Sequence, residues 1–197
     1  MTRVTHLDDA DAPLLELCRN GDEAAFDELV RRHQQRALNV AYQVVRDRED
    51  AMEVAQDAFV NVYKNIGSFR GECLFTTWLH SIVVNLARNR HRWWKRRGRS
   101  ATVSLDEEFQ SEDGPVAQQV AATTDSPAAE AVNAEYVVAL DAAMEKLPAT
   151  LREVMALRNV QELSYEEIAV ALDCSVGTVK SRLARARGRL RELMNET

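Results

Sequence analysis

Glycine and proline are scarce in this chain, with seven and four among 197 residues. That scarcity excludes a collagenous repeat and a Pro/Gly-rich disordered chain. Only 6% of the residues are aromatic, and the three cysteines, Cys18, Cys73 and Cys174, are odd in number and far apart. They are expected as reduced thiols of a cytoplasmic protein and not as a disulfide framework. No apolar run approaches the ~18 residues of a membrane span, so no membrane insertion is expected. Met1 to Leu7 lacks a basic segment followed by an apolar stretch, so no secretory signal is expected. Glycine-rich phosphate loops, His/Cys metal spacing and a nucleophile–base pair are all missing. His80 and His91 lie too far apart for helical metal-ligand spacing. No enzyme activity, metal or cofactor is therefore expected. His33 falls on an apolar helix face and reads as a core histidine with a satisfied side chain.

What is present is charge, and it is segregated. The formal net charge of −6 comes from 25 basic and 31 acidic residues. Residues 1–87 hold 9 basic and 14 acidic side chains, and residues 88–99 hold seven basic and none acidic. Residues 100–145 reverse this, with ten acidic and none basic. Residues 146–197 hold 9 basic against 7 acidic, and six of the bases fall between Lys180 and Arg191, where acid is missing. Two basic patches thus flank an acidic insert, and an average pI of 5.3 conceals them. From Gly98 to about Pro127 the chain is rich in Ser, Thr, Ala, Gln, Asp and Glu, with few large apolar residues. Such a segment reads as a flexible linker extended by self-repulsion.

Elsewhere apolar residues recur at helical spacing, and no stretch shows sustained strand alternation. Leu14, Leu15 and Leu17 mark a first short helix ended by Gly21. Asp22 is the expected N-cap of a second, with Phe26, Leu29, Val30, His33, Ala37, Val40, Ala41 and Val44 on its apolar stripe. A third helix is expected from about Asp50 to Asn65, and the loop Gly67-Ser-Phe-Arg-Gly-Glu72 follows. A fourth runs from about Thr76 to Lys95, with Trp78, Leu79, Ile82, Leu86 and Trp93 on its core face. Beyond the linker, a helix is expected over roughly Ala128 to Lys146, and Pro148 opens the next. Ser164-Tyr-Glu-Glu167 forms a capping box for a third, and Asp173-Cys-Ser175 turns into a last helix, Val176 to about Asn195. The fold class is all-α, with two small helical domains joined by the acidic linker. The expected boundaries are a tail over 1–14, a first domain over 15–97, the linker over 98–129 and a second domain over 130–197.

Ser164–Leu172, a three-residue turn and Val176–Asn195 have the rhythm of a helix-turn-helix. On the last helix Val176, Val179, Leu183, Ala186, Leu190 and Leu193 share one face, and Gly177, Ser181, Ala184 and Gly188 form the opposite crest. Lys180, Arg187 and Arg191 line one flank; Arg182, Arg185 and Arg189 line the other. Small residues let the helix approach base edges, and cations on both flanks meet the phosphate walls of a major groove. Thr178, Lys180, Ser181, Arg182 and Arg185 are placed to reach bases or adjacent phosphates. Arg187, Arg189 and Arg191 are placed to hold the backbone.

The first domain carries a second candidate face. Ser81, Asn85, Arg88 and Arg92 form a polar ridge on the fourth helix, which ends in Arg88-Asn-Arg-His-Arg-Trp-Trp-Lys-Arg-Arg97. Bases interleaved with aromatics suit DNA whose bases are unstacked. Trp93 is expected on the domain core. The loop around Phe69, together with Asn85, is a candidate pocket for one extruded base. On the third helix Asp50, Glu53 and Asp57, with Gln56 alongside, form an acidic face. It reads either as favourable charge at a helix N-terminus or as a protein-docking surface.

These motifs, in this order, resemble the bacterial sigma factors of the extracytoplasmic-function (ECF, group 4) type within the sigma-70 family. The likeness rests on Gly21-Asp-Glu-Ala-Ala-Phe26, Asp50-Ala-Met-Glu-Val-Ala-Gln-Asp-Ala-Phe59, Ser68-Phe-Arg-Gly71 and Thr77-Trp-Leu79 with Asn85. It continues through Leu147-Pro148, Leu163-Ser-Tyr-Glu-Glu-Ile-Ala169 and Val176-Gly-Thr-Val-Lys-Ser-Arg-Leu183. The resemblance implies a sigma factor that binds core RNA polymerase and directs promoter-specific initiation. The first domain would be sigma domain 2. Its Asp50, Glu53, Gln56 and Asp57 would dock on the β′ clamp helices, and its loop and fourth helix would melt the −10 element. Phe69 and Asn85, with Asn65 nearby, match the family's flipped-base pocket, and Ser81, Arg88 and Arg92 extend that surface. The second domain would be sigma domain 4, reading −35 duplex and touching the β flap. An anti-sigma partner is implied by the resemblance alone. The alternative is a dimeric helix-turn-helix regulator that binds palindromic half-sites about one turn apart without polymerase.

Overall fold

The computed structural model describes residues 9–96, 136, 138–159 and 163–195. The expected linker and most of the tail lie outside them. Every regular element among the described residues is helical. They are α1 (Ala12–Arg19), α2 (Glu23–Val45), α3 (Arg48–Asn65), α4 (Phe75–Arg96), α5 (Ala149–Asn159), α6 (Tyr165–Leu172) and α7 (Val176–Asn195). A 3-10 turn, Ile66–Ser68, follows α3, and residues 138–145 are also helical.

Local chemistry sets the helix ends. The Asp22 carboxylate accepts from Ala25 N at 3.0 Å and caps α2. Gly21, at φ 86°, supplies the left-handed turn between α1 and α2, a conformation that a β-carbon strains. Asp47 caps α3 by accepting from Asp50 N at 3.0 Å, so this helix starts two residues before the expected Asp50. The Ser164 hydroxyl accepts from Glu167 N, and the Glu167 carboxylate accepts from Ser164 N at 2.8 Å, closing the expected capping box. Asp173, at φ 50°, ends α6 and turns the chain into α7.

Helices α2, α3 and α4 pack mutually, and α1 lies across α2 and the 3-10 turn. Leu29, Val40, Val44, Val62, Phe75 and Leu79 are fully enclosed there. In the C-terminal unit α7 packs on α5 and α6, burying Leu147, Leu157, Ile168, Val179 and Leu183. Cutting such an enclosed leucine to alanine costs about 2–5 kcal/mol. The two units also pack together, α2 on α5 and α4 on α6. That packing alters the expected face of α4. Phe75, Thr77, Leu79, His80, Val83, Val84 and Ala87 are buried, whereas Trp78, Ile82 and Leu86 are half-buried. A helix covered from two sides needs a wider buried arc than one amphipathic stripe provides. Trp93, expected in the core, is 40% exposed, three residues before the end of α4. His33 is the expected core histidine, with Nε2 2.7 Å from Asp11 Oδ2.

Candidate nucleic-acid interface

Helix α7 presents the face anticipated from its spacing. Val179, Leu183, Ala186, Leu190 and Leu193 are buried. Gly177 and Ala184 are exposed on the crest, and Gly188 has open space where a β-carbon would stand. Ser175 fastens the N-terminus: its hydroxyl accepts from Thr178 N at 3.0 Å and lies 2.9 Å from Thr178 Oγ1. Ser181 donates to Thr178 O at 3.0 Å, so its hydroxyl folds back on the helix. Lys180, Arg185 and Arg189 are exposed, and Arg182 and Arg187 are half-buried. Glu192, just past the acid-free run, pairs with Arg189 at 2.8 Å, an exposed contact of little energetic weight. The result is a cationic convex face with a low crest and no acid across its first four turns.

The second face is built around the loop before α4. Phe69 is only 8% exposed, stacked on Trp78 with ring centroids 4.7 Å apart and edge-on to Phe75. Gly67, Ser68, Arg70 and Glu72 are the exposed members of this loop. Asn65 is exposed and bonds back to Asn61 O at 2.8 Å. Asn85 is exposed two turns along α4 from Trp78, which is about 10 Å of helix axis. The structure therefore encloses the Phe69 ring within the loop's aromatic cluster and leaves Asn85 on the open ridge. Ser81 is half-buried and donates to Trp78 O at 2.6 Å, and Arg92 is exposed.

Arg88 is engaged. Its Nε and Nη2 donate to the two Glu153 oxygens at 2.8 and 2.7 Å, a bidentate bridge between the units. Glu153 is 1% exposed. Hydrogen bonding to Glu153 raises the Arg88 pKa further above the ordinary guanidinium value. Beside this bridge, Arg46 donates to Asp141 O at 2.9 Å.

The acidic face of α3 is narrower than expected. Asp50 is 5% exposed, and its Oδ1 accepts from Arg90 Nε at 2.7 Å, so it points into the bundle and is not presented outward. The cause is α4, which passes the first turn of α3 and reaches both Asp50 and Glu53 with Arg90. Glu53, Gln56 and Asp57 are exposed. Of these, Gln56 lines a groove of about 490 Å³ between α2 and α3, together with Phe26, Val30, Leu38, Met52, Phe59 and Tyr63 among others. Phe26 and Tyr63 meet edge-on at 5.0 Å. Met52, Val60 and Tyr63 are about half exposed along it. An apolar groove on the helix that also exposes Glu53 and Asp57 is suited to an amphipathic, basic helical partner.

Comparison with known proteins decides the family. The Sigma-70 region 2 model matches residues 29–99, and the Sigma-70, region 4 model matches residues 138–190. The chain is 36% identical over 178 residues to the RNA polymerase sigma-H factor of Pseudomonas aeruginosa, covering 90% of each chain. It is 37% identical over 177 residues to the ECF RNA polymerase sigma-E factor of Escherichia coli K12, again covering 90% of each. The chain belongs to the ECF sigma factors. Its function is to direct RNA polymerase to initiate transcription. Among solved structures, CnrH in complex with the cytosolic domain of CnrY is 26% identical with a TM-score of 0.66, covering 95% of this chain and 99% of that one. RpoE of Bartonella quintana, solved with the anti-sigma factor NepR, shares the fold at 23% identity and a TM-score of 0.62, covering 86% of this chain and 96% of that one.

Three features of this ECF sigma factor escaped the sequence reading. The Arg88–Glu153 bridge joins residues 65 apart, and no local pattern announces it. The groove beside α3 arises from Phe26, on the second helix's stripe, opening outward towards Tyr63. Arg90 sits on the flank of α4 opposite the ridge, and its spacing marks it as a partner only once α3 is known to lie there.

Proposed function

We propose that the two matched regions divide promoter recognition between them. The observation that carries this reading is the acid-free, small-crested face of α7 on one unit and, on the other, the apolar groove beside α3 with Glu53 and Asp57 exposed on the same helix. The first domain, 15–97, docks on the β′ clamp helices of core polymerase through Glu53, Gln56 and Asp57 and the groove that Gln56 lines. Asp50 supports that face from within through Arg90. The Phe69 loop, with Asn65 at the end of α3, and the α4 ridge of Ser81, Asn85, Arg88 and Arg92 hold the melted −10 element. The second domain, 130–197, places α7 in the major groove of the −35 element, with Thr178, Lys180, Ser181, Arg182 and Arg185 towards the bases. Arg187 and Arg189 grip phosphate there. The linker, 98–129, carries its acidic charge between the two, and the β flap receives the second domain.

The protein works without catalysis of its own and resides in the cytoplasm with the polymerase. An anti-sigma protein is its regulator, in keeping with the complexes solved for CnrH and RpoE. Its promoter contacts need Arg88 free of Glu153, so the packed arrangement of the two units opens when the holoenzyme engages DNA. The test is Asp57→Ala. Affinity for core polymerase falls about five- to thirtyfold, as for loss of one charged interface contact, while the preferred promoter sequence stays the same. Unchanged core affinity would overturn the docking face.

A further inference from the structure

Residues 9–19 precede the region 2 match, which begins at residue 29. Two of their side chains nevertheless hold the loop before α4. Arg19, the last residue of α1, donates from Nη2 to Phe69 O at 2.7 Å. Asp9 Oδ2 accepts from Phe75 N at 3.0 Å, satisfying a backbone donor in the first turn of α4 that has no partner within its own helix. The backbone of residues 69–75 is thus pinned at both ends from one short N-terminal segment.

That segment is itself fixed. Asp9 Oδ1 accepts from Asp11 N at 3.0 Å, and Asp11 Oδ2 lies 2.7 Å from His33 Nε2, with both side chains 7% exposed. Burial raises the Asp11 pKa, but the hydrogen bond and charges of His33 and Arg32 outweigh it and hold the carboxyl below its ordinary value. His33 also packs edge-on to Phe75 at 5.3 Å, so the anchor of the strap and the start of α4 share one contact. Gly67, Ser68, Arg70 and Glu72 remain exposed in this loop.

We propose that Arg19 and Asp9 are positioning residues for −10 recognition, holding the Phe69 loop in the shape that receives single-stranded promoter DNA. They touch no DNA; they remove the cost of ordering the loop when DNA arrives, which is how a preorganised binding loop gains affinity. The inference rests on the assignment of the Phe69 loop to the −10 element. A charge-assisted bond such as Arg19 to Phe69 O is stronger than a neutral one, so its loss is large enough to measure.

The experiment uses holoenzyme reconstituted from the full chain and core polymerase. It compares Arg19→Ala, Arg19→Lys, Asp9→Ala and Asp9→Asn with the loop variants Ser68→Ala and Arg70→Ala. Promoter opening is read from permanganate reactivity of −10 thymines, alongside core affinity, binding to −35 duplex and melting temperature. Arg19→Ala and Asp9→Ala each lower opening about tenfold with core and −35 binding unchanged. Arg19→Lys and Asp9→Asn, which keep a donor and an acceptor in place, restore most of it. Normal opening in both alanine variants, with impaired loop variants, overturns the positioning role alone. Normal opening in the loop variants overturns the −10 assignment beneath it. Should an alanine variant fail to fold, its conservative partner decides: a folded Arg19→Lys or Asp9→Asn that opens promoters as poorly as a loop variant overturns the proposal.

Discussion

His80 turns acidification into a measurable loss of stability. Its side chain is 1% exposed on α4, Nδ1 has no hydrogen-bond partner, and the pKa is lowered from 6.5 to about 4. Burial is the main cause, and the neighbouring His33 and Arg36 charges add to it. The sign follows from proton linkage. Below pH ~6.5 the unfolded chain takes up a proton at this ring and the folded chain refuses it until about pH 4, so stability falls as pH falls through that window. A gap of that size corresponds to roughly 3 kcal/mol if traversed completely. Between about pH 7.5 and about pH 4.5 it gives roughly 2–3 kcal/mol. Urea unfolding followed by tryptophan fluorescence, at both pH values, measures it. His80→Leu, neutral at every pH and similar in bulk, loses roughly 2–3 kcal/mol less than wild type over the same span. An equal loss in the two proteins would refute the assignment of this pH dependence to His80.

The bridge between the units gives a second expectation. Glu153→Gln removes the carboxylate that two Arg88 nitrogens share and destabilises the packed arrangement by about 2–3 kcal/mol, because the arginine stays half-buried beside a weaker acceptor. Faster hydrogen exchange across α5 and the middle of α4 reports it; unaltered exchange contradicts it. On the recognition helix, Arg185→Ala lowers promoter use by about 1–3 kcal/mol and relaxes preference at one −35 base pair if its guanidinium makes a bidentate base contact. A uniform loss across all promoters would instead place it on phosphate.

Elements dominated by local chemistry were legible from the sequence. The Asp22 cap, the Ser164–Glu167 box and α7 all follow from residues within one or two turns of each other, and the structure places them where their spacing does. The buried stripe of α7 was equally readable, since that helix packs on one side only. Helix α4 was not, because it is covered by α2 and α3 on one side and α6 on the other. Its true core residues, among them Val83, Val84 and Ala87, emerge only when both neighbours are in place. The same reason explains the candidate sites. Exposed bases on α7 stayed where periodicity put them, whereas Asp50 and Arg88 were each claimed by a partner distant in sequence. Long-range pairing leaves no mark in a periodic pattern.

The claim that joins these observations is that this chain gives core RNA polymerase its promoter specificity. The direct measurement is transcription in vitro from a randomised promoter library, with core polymerase and the purified chain together and each alone. The account predicts initiation only from the combination, at templates sharing one −35 and one −10 sequence, with little duplex binding by the chain alone. Tight binding of the free chain to palindromic half-sites, with no initiation when core polymerase is added, would contradict it.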